Sequence, residues 1–173
     1  MREPDVWSKT LLTTYYYLPK AVKSAEVKIT NYPFTQGTVF QDAVTVCKTI
    51  QRLTDNRNAL INAKIIVDSI MDKLPKTYRD FLYLRYIKHT PFEEVASFLG
   101  ISRSTAYRKN NEAVAAFASI LENSYKEAEY FCNVFEAHPF LGEAYRIIRD
   151  NERRQRLMNR QRVVDGKPTD IAK

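Results

Sequence analysis

Apolar residues recur every three or four positions through most of the chain, a spacing typical of amphipathic helices. The first such stretch, from Asp5 to Thr30, predicts a helix that Pro19 breaks or restarts, because proline lacks a backbone N–H donor. The segment from Asn31 to Gly37 contains proline and glycine and predicts a loop. From Val39 to Leu74 neither residue type occurs, and the pattern predicts a long middle helix.

Within this middle helix an apolar residue returns at every seventh position. The members of the repeat are Val46, Leu53, Leu60, Val67 and Leu74. A heptad stripe is typical of a coiled-coil seam, so the first four residues are candidates for dimerisation. The alternative is that the stripe packs on the first helix of the same chain. The pattern does not decide between these two interpretations.

After Leu74-Pro75 an amphipathic stretch from Lys76 to Ile87 predicts another helix. Thr90, followed by proline and by Glu93 at the third position after it, has the signature of a capped helix start. Gly100 predicts the end of that helix, and Ser102 predicts the cap of a second one, which extends to about Phe135. Two helices joined by a short turn with glycine describe a helix-turn-helix. Its predicted inward residues are Phe92, Val95, Ala96, Leu99, Ala106, Ala113, Ala116, Phe117 and Ile120.

The outward positions of the second helix carry side chains suited to DNA. The candidates for base readout are Arg103, Ser104, Tyr107, Arg108 and Asn111. Arginine can pair with guanine and asparagine with adenine in the major groove, and the first turn of a recognition helix enters the groove first. The candidates for phosphate contacts are Ser102, Thr105, Lys109, Arg85, Lys88 and His89. A solvated polar face is the alternative interpretation.

At the C-terminal end, His138-Pro139 predicts a break, and Leu141 to Arg162 predicts a last helix that becomes more basic along its length. Seven arginines stand against two acidic residues between Arg146 and Arg162. This segment is either a second contact to the DNA backbone or a solvated helix with internal salt bridges. The sequence thus predicts three regions: a helical region at 1–73 that is a candidate for dimerisation, a DNA-binding domain at 74–135, and a basic helix with a disordered tail at 136–173.

Composition narrows the function further. The formal charge of +7 favours a polyanionic partner. The chain has only 4 glycines, which argues against a many-stranded β fold. The absence of a long apolar run predicts a soluble intracellular protein with no membrane partner. Cys47 and Cys132 are far apart, so we expect reduced, buried thiols and no metal. His89 and His138 have no nucleophile and carboxylate set nearby in the sequence, so neither an enzyme nor a cofactor is expected.

From Leu74 to Leu121 the chain resembles region 4 of sigma factors. The resemblance rests on Leu74-Pro75, Arg79, the apolar run from Phe81 to Tyr86, and the stretch from Phe92 to Arg108. That region has the order Leu-Pro, Leu-Arg-Tyr, Glu-Ile-Ala and Leu-Gly-Ile-Ser before its recognition helix. The resemblance implies an all-α fold and a helix-turn-helix that reads promoter DNA. Ala106 stands where a larger Val or Ile is usual, which would anchor the recognition helix less bulkily.

The rest of the chain does not resemble a sigma factor, since no counterpart of sigma region 2 is recognisable. The Tyr-rich N-terminal helix (Leu11, Leu12, Tyr15, Leu18), the long middle helix and the Tyr-Arg pair after Ser-Arg-Ser-Thr-Ala resemble phage late-gene activators of the ArpU and RinA type. This resemblance implies an activator of packaging, structural or lysis genes, acting on double-stranded DNA and RNA polymerase in the cytoplasm or nucleoid of a bacterial host. A sigma-like polymerase subunit and a small terminase-like packaging adaptor are the open alternatives.

Overall fold

The computed structural model describes residues 3–35, 37–124 and 128–164, with side chains except at 3–4, 124, 128–132, 159–160 and 162–164. These ranges contain eight α-helices: α1 (Glu3–Tyr15), α2 (Leu18–Asn31), α3 (Ala43–Lys73), α4 (Lys76–Leu82), α5 (Phe92–Phe98), α6 (Arg103–Ser124), α7 (Ala128–Ala137) and α8 (Pro139–Val164). A 3-10 turn, Tyr32–Phe34, follows α2, and a π-helical turn, Tyr83–Ile87, follows α4. All regular structure in the described ranges is helical, so the predicted all-α fold is confirmed.

The main hydrophobic core surrounds α1, which packs against α3, α6 and α8. Leu11 and Leu12 are fully buried there, and the Trp7 ring stacks on Tyr145 of α8 with centroids 4.3 Å apart. Burying one such leucine stabilises the fold by about 1.5–3 kcal/mol. Side chains from all three predicted regions contribute to this one core. The assignment of separate functions to the regions 1–73, 74–135 and 136–173 stays a prediction.

The C-terminal half of the heptad stripe lies inside this core. Leu60 and Val67 are buried at 3% and 0% exposure among residues of the same chain, so neither is available for a contact between two chains. Their predicted place in a dimer seam is therefore wrong, and the alternative of packing within the chain holds for them. Val46 and Leu53 lie nearer the start of α3 and are only half-buried. A dimer through these two residues stays a prediction.

Several predicted helix boundaries need correction. The middle helix begins at Ala43 and not at Val39, because the Asp42 carboxylate accepts a hydrogen bond from the Thr45 N–H at 2.9 Å and caps it. The residues before that cap, Val39 and Phe40, lie in the exposed connection. The second helix of the helix-turn-helix is described as far as Ser124, and helical structure continues in α7 from Ala128, so the predicted extent to about Phe135 crosses residues outside the described ranges. The restart at Pro19 is confirmed, since this proline lies in the first turn of α2.

The corner between α7 and α8 lies at His138-Pro139, where the sequence predicts a break. The His138 ring is buried, and its Nδ1 accepts hydrogen bonds from the N–H groups of Phe140 and Leu141, both at 3.2 Å. His138 therefore caps α8, a role that the sequence does not indicate, since histidine is not a typical capping residue.

The sequence predicts that both cysteines are buried, and the structure describes the side chain of one of them. Cys47 is exposed, so its predicted burial is wrong, because α3 is solvated along its first turns. The Cys132 side chain and the predicted disordered tail after Val164 lie outside the described residues. In the part of the chain that is described, no helix combines the length and apolar character needed to cross a membrane.

Candidate nucleic-acid interface

The turn between α5 and α6 is built from local signals that the sequence states clearly. Gly100 has a φ of +62°, a left-handed conformation that glycine adopts without steric cost. Ser102 caps α6, because its Oγ accepts a hydrogen bond from the Thr105 N–H at 3.2 Å. The predicted roles of Gly100 in the turn after α5 and of Ser102 as the cap of α6 are therefore confirmed.

The predicted cap of α5 is different. Its cap position is Pro91 and not Thr90, and no side chain closes it. The Thr90 carbonyl instead accepts a hydrogen bond from Arg85 Nη1 at 3.0 Å. Glu93 does not complete a capping box, because it forms an ion pair with Arg103 at 3.2 Å. The capping prediction for Thr90 and Glu93 is wrong, and both residues serve contacts between neighbouring elements.

A second, smaller core holds α5 and α6 together. Its buried members are Phe81, Val95, Ala96 and Ala106. Ala106 is fully buried, so the small side chain at this position lets α6 approach α5 closely. Because this face of α6 is fixed against α5, the opposite face is directed away from the protein.

All five candidates for base readout are exposed on the sides of α6 that the small core leaves uncovered: Arg103, Ser104, Tyr107, Arg108 and Asn111. The Tyr107 ring stacks on Phe92 of α5, with centroids 4.2 Å apart and planes inclined by 22°. The Arg103 guanidinium lies 5.8 Å from the centroid of the Tyr107 ring. Phe92, Tyr107 and Arg103 thus form a column from the small core to the surface, which limits the orientations that Arg103 can adopt.

The electrostatic setting of Arg103 favours its charged form. The Tyr107 side chain, and after it the Glu93 carboxylate, raises the pKa of Arg103. The side chains of Arg103 and Glu93 are 59% and 61% exposed, and ion pairs between exposed groups are weak. Arg103 can therefore exchange Glu93 for a base edge at little cost. Arg108 lies farther along α6, within 3.7 Å of Glu112.

The candidates for phosphate contact differ in what already surrounds them. Ser102 and Thr105 lie at the start of α6, with their hydroxyl oxygens 2.9 Å apart, and Lys109 is half-buried. Lys88 is exposed, with its Nζ 5.5 Å from the Tyr83 ring centroid. Arg85 donates a hydrogen bond across the turn to the Thr90 carbonyl. All six candidates thus lie at α6 or between α4 and α5, and Arg85 is partly engaged there by Thr90.

His89 is the sixth candidate and has an unusual backbone. Its φ is +55°, which non-glycine residues rarely adopt, and its ring stacks on Tyr16 with centroids 4.7 Å apart. The Tyr17 hydroxyl lies 3.3 Å from His89 Nε2. His89 therefore joins the α1–α2 corner to the approach to α5, a contact that sequence reasoning missed.

Tyr86 and the π-helical turn were also missed. The Lys88 N–H bonds to the Tyr83 carbonyl at 2.8 Å, which widens the last turn after α4 by one residue. The Tyr86 hydroxyl donates to Asn110 Oδ1 at 3.3 Å and so ties this turn to α6. Burial raises the pKa of Tyr86, so it stays a neutral donor. The only signal in the sequence is the apolar character of the stretch from 83 to 87.

Comparison with known proteins identifies one region of the chain. Residues 64–114 match the family model described as Sigma-70, region 4. The match begins inside α3, runs through α4 and α5 and ends inside α6, so it covers under a third of the chain. No curated protein and no solved structure matches the chain significantly. The chain contains a segment similar to sigma region 4, a family of non-enzymatic DNA-binding domains, and this supports a helix-turn-helix protein with a transcription-related function.

Proposed function

We propose that the protein is a sequence-specific DNA-binding regulator of transcription that inserts α6 into the major groove. The observation that carries the proposal is the exposed face of α6, on which Arg103 leads and Tyr107, Arg108 and Asn111 follow. Arginine and asparagine can each form two hydrogen bonds with one base, to guanine and adenine respectively. The stack of Tyr107 on Phe92 restricts this face before DNA is bound, which lowers the entropic cost of binding.

We further propose that the protein activates phage late genes and that its partner is the host RNA polymerase. This proposal is supported by the resemblance to activators of the ArpU and RinA type and by the match to sigma region 4. A dimer through Val46 and Leu53 would let two copies of α6 read a symmetric site. Transcription of a late promoter by polymerase with and without a separate sigma subunit separates an activator, which needs that subunit, from a sigma-like subunit, which replaces it.

The base-reading role of Arg103 can be tested by selecting bound DNA from a random pool. For Arg103→Ala we expect the affinity for the selected sequence to fall by roughly 5- to 150-fold, because one bidentate base contact is lost. We also expect a relaxed preference at one base position. The measurement is repeated selection followed by binding titrations on the selected and an unrelated sequence.

Arg52→Ala is the matched control, since Arg52 is an exposed arginine on α3, outside the recognition face. It should keep the full base preference. If Arg103→Ala and Arg52→Ala retain identical base preferences, Arg103 does not read DNA. If the unaltered protein selects no sequence at all, the proposed function is wrong.

A further inference from the structure

Helix α8 packs against the rest of the protein up to Glu152 and is exposed to solvent after it. Before that point, Leu141 and Tyr145 are buried in the main core and Ile148 packs against it. Glu152 ends this stripe with an ion pair to Lys9 of α1. Every described side chain from 153 to 158 is exposed, and the next positions in line with the packed face are Gln155 and Arg156. A helix with no apolar face has nothing to bury. We call the segment 153–164 the basic arm, since it continues α8 beyond the packed part of the helix.

The arginines of α8 fall into two groups. In the packed half, Arg146 pairs with Glu143 at 3.0 Å and Arg149 pairs with Asp150 at 3.3 Å. In the basic arm, Arg153, Arg154 and Arg156 form no ion pair with any described carboxylate, and the nearest acidic residue in the chain, Glu152, is occupied by Lys9. The packed half is therefore close to charge-balanced, whereas the exposed half presents uncompensated positive charge.

We propose that the basic arm binds the phosphate backbone of DNA beside the segment that α6 reads. This inference rests on the proposed DNA-binding function. The ion pair and the Trp7–Tyr145 stack fix α8 to α1, and α1 packs against α6, so the basic arm and the recognition face belong to one body. At 1.5 Å per residue the basic arm is about 18 Å long, roughly half a turn of duplex DNA. The arm thus extends the contact beyond the helix-turn-helix without reading bases.

The distribution of side chains around the basic arm favours a polyanion over a lipid surface. Consecutive helical residues are rotated by about 100°, so Leu157 lies between Arg153 and Arg154 when the arm is viewed along its axis. Met158 lies on the far side of Arg154. An interfacial membrane helix needs its apolar residues on one face and its charges on the other. The basic arm does not separate them, and its arginines can reach phosphates from several directions.

The test compares two charge-matched double variants of the full chain. R153Q/R156Q removes two unpaired arginines from the basic arm, and R146Q/R149Q removes two paired arginines from the packed half. Binding to the selected sequence and to an unrelated duplex is measured over a series of salt concentrations. Each phosphate contact contributes about 0.9 to the slope of log affinity against log salt, so we expect R153Q/R156Q to flatten the slope by about 1.8 on both duplexes. R146Q/R149Q should leave the slope unchanged.

The outcomes separate the basic arm from the recognition helix. Unchanged slopes for R153Q/R156Q, or equal changes in both double variants, would overturn the role of the basic arm while leaving the base preference intact. Absence of base preference in the unaltered protein, with a slope that R153Q/R156Q still flattens, would count against α6 and not against the basic arm. Co-sedimentation of the protein with phosphatidylserine–phosphatidylcholine vesicles, abolished by R153Q/R156Q but accompanied by unchanged DNA binding, would assign the basic arm to a membrane surface and refute the proposal.

Discussion

At the scale of single residues, the sequence predicts why glycine is needed at Gly100 but not why it is needed at Gly142. Gly100 is required by its own backbone angle, and its place between an apolar helix and a serine cap predicts this. Gly142 is required by a neighbour: a Cβ atom built there would lie 2.0 Å from the carbonyl oxygen of Glu136, in the preceding helix. Nothing in the local sequence signals that approach, because it depends on how α7 and α8 meet.

Gly142→Ala should therefore destabilise the protein. The clash is with backbone and cannot be relieved by rotating a side chain, so α7 must shift, and we expect a loss of about 1–3 kcal/mol in the free energy of unfolding. Urea unfolding followed by the fluorescence of Trp7 measures it, since Trp7 packs between Phe135 of α7 and Tyr145 of α8.

Gly37→Ala is the control for Gly142→Ala, because a Cβ atom at Gly37 would meet no atom within 4 Å. Its midpoint of unfolding should stay close to that of the unaltered protein. Equal stability of the two alanine variants would mean that α7 and α8 do not approach as closely at this corner as the structure indicates.

At the scale of elements, the sequence predicts the number and order of most helices, because capping residues, proline and apolar spacing are local signals. It fails where a competing contact decides. Thr90 and Glu93 match the sequence pattern of a capping box. In the structure the Thr90 carbonyl accepts a hydrogen bond from Arg85, and Glu93 forms an ion pair with Arg103. Leu60 and Val67 have heptad spacing but pack within the chain. The exposure of the five candidate side chains on α6 is confirmed, because it follows from the buried positions of the same helix, while their role in reading DNA stays a prediction.

The cap of α8 should make stability depend on pH. Burial lowers the pKa of His138 below its ordinary value of about 6.5, despite an opposing contribution from the backbone of Asn56. The neutral ring is also the form whose Nδ1 can accept the two N–H groups. The unfolded chain therefore takes up a proton at higher pH than the folded chain does. The stability from His138 is complete above about pH 6.5 and is lost as the pH falls through the lowered pKa.

His138→Asn tests this dependence, because asparagine can cap a helix without titrating in this range. We expect the variant to be less stable near neutral pH, since the buried ring is lost, but to lose less stability than the unaltered protein between pH 7 and 5. Thermal unfolding across that range measures the difference. Parallel pH profiles for the two proteins would show that His138 does not contribute.

At the scale of the whole molecule, the segment that resembles sigma region 4 does not have a core of its own beyond four buried side chains. Its other apolar residues, such as Val67, Leu82 and Val114, lie in the main core, to which α1 contributes from the far end of the sequence. Apolar spacing predicts which face of each helix is buried but not which helix covers it. The partnership of α1 with α6 and α8 therefore could not be predicted from the sequence.

This shared core predicts that the protein unfolds as one unit. Leu11 is fully buried in α1, so Leu11→Ala should lower the free energy of unfolding by about 2–5 kcal/mol. Because α1 supports α3, α6 and α8 together, circular dichroism, which reports all helices, and Trp7 fluorescence, which reports the α1–α8 contact, should shift to lower urea by the same amount. Ile65→Ala, at an exposed position of α3, should leave both midpoints in place. Separate transitions for the two signals in Leu11→Ala would instead mean that the DNA-binding helices fold without α1.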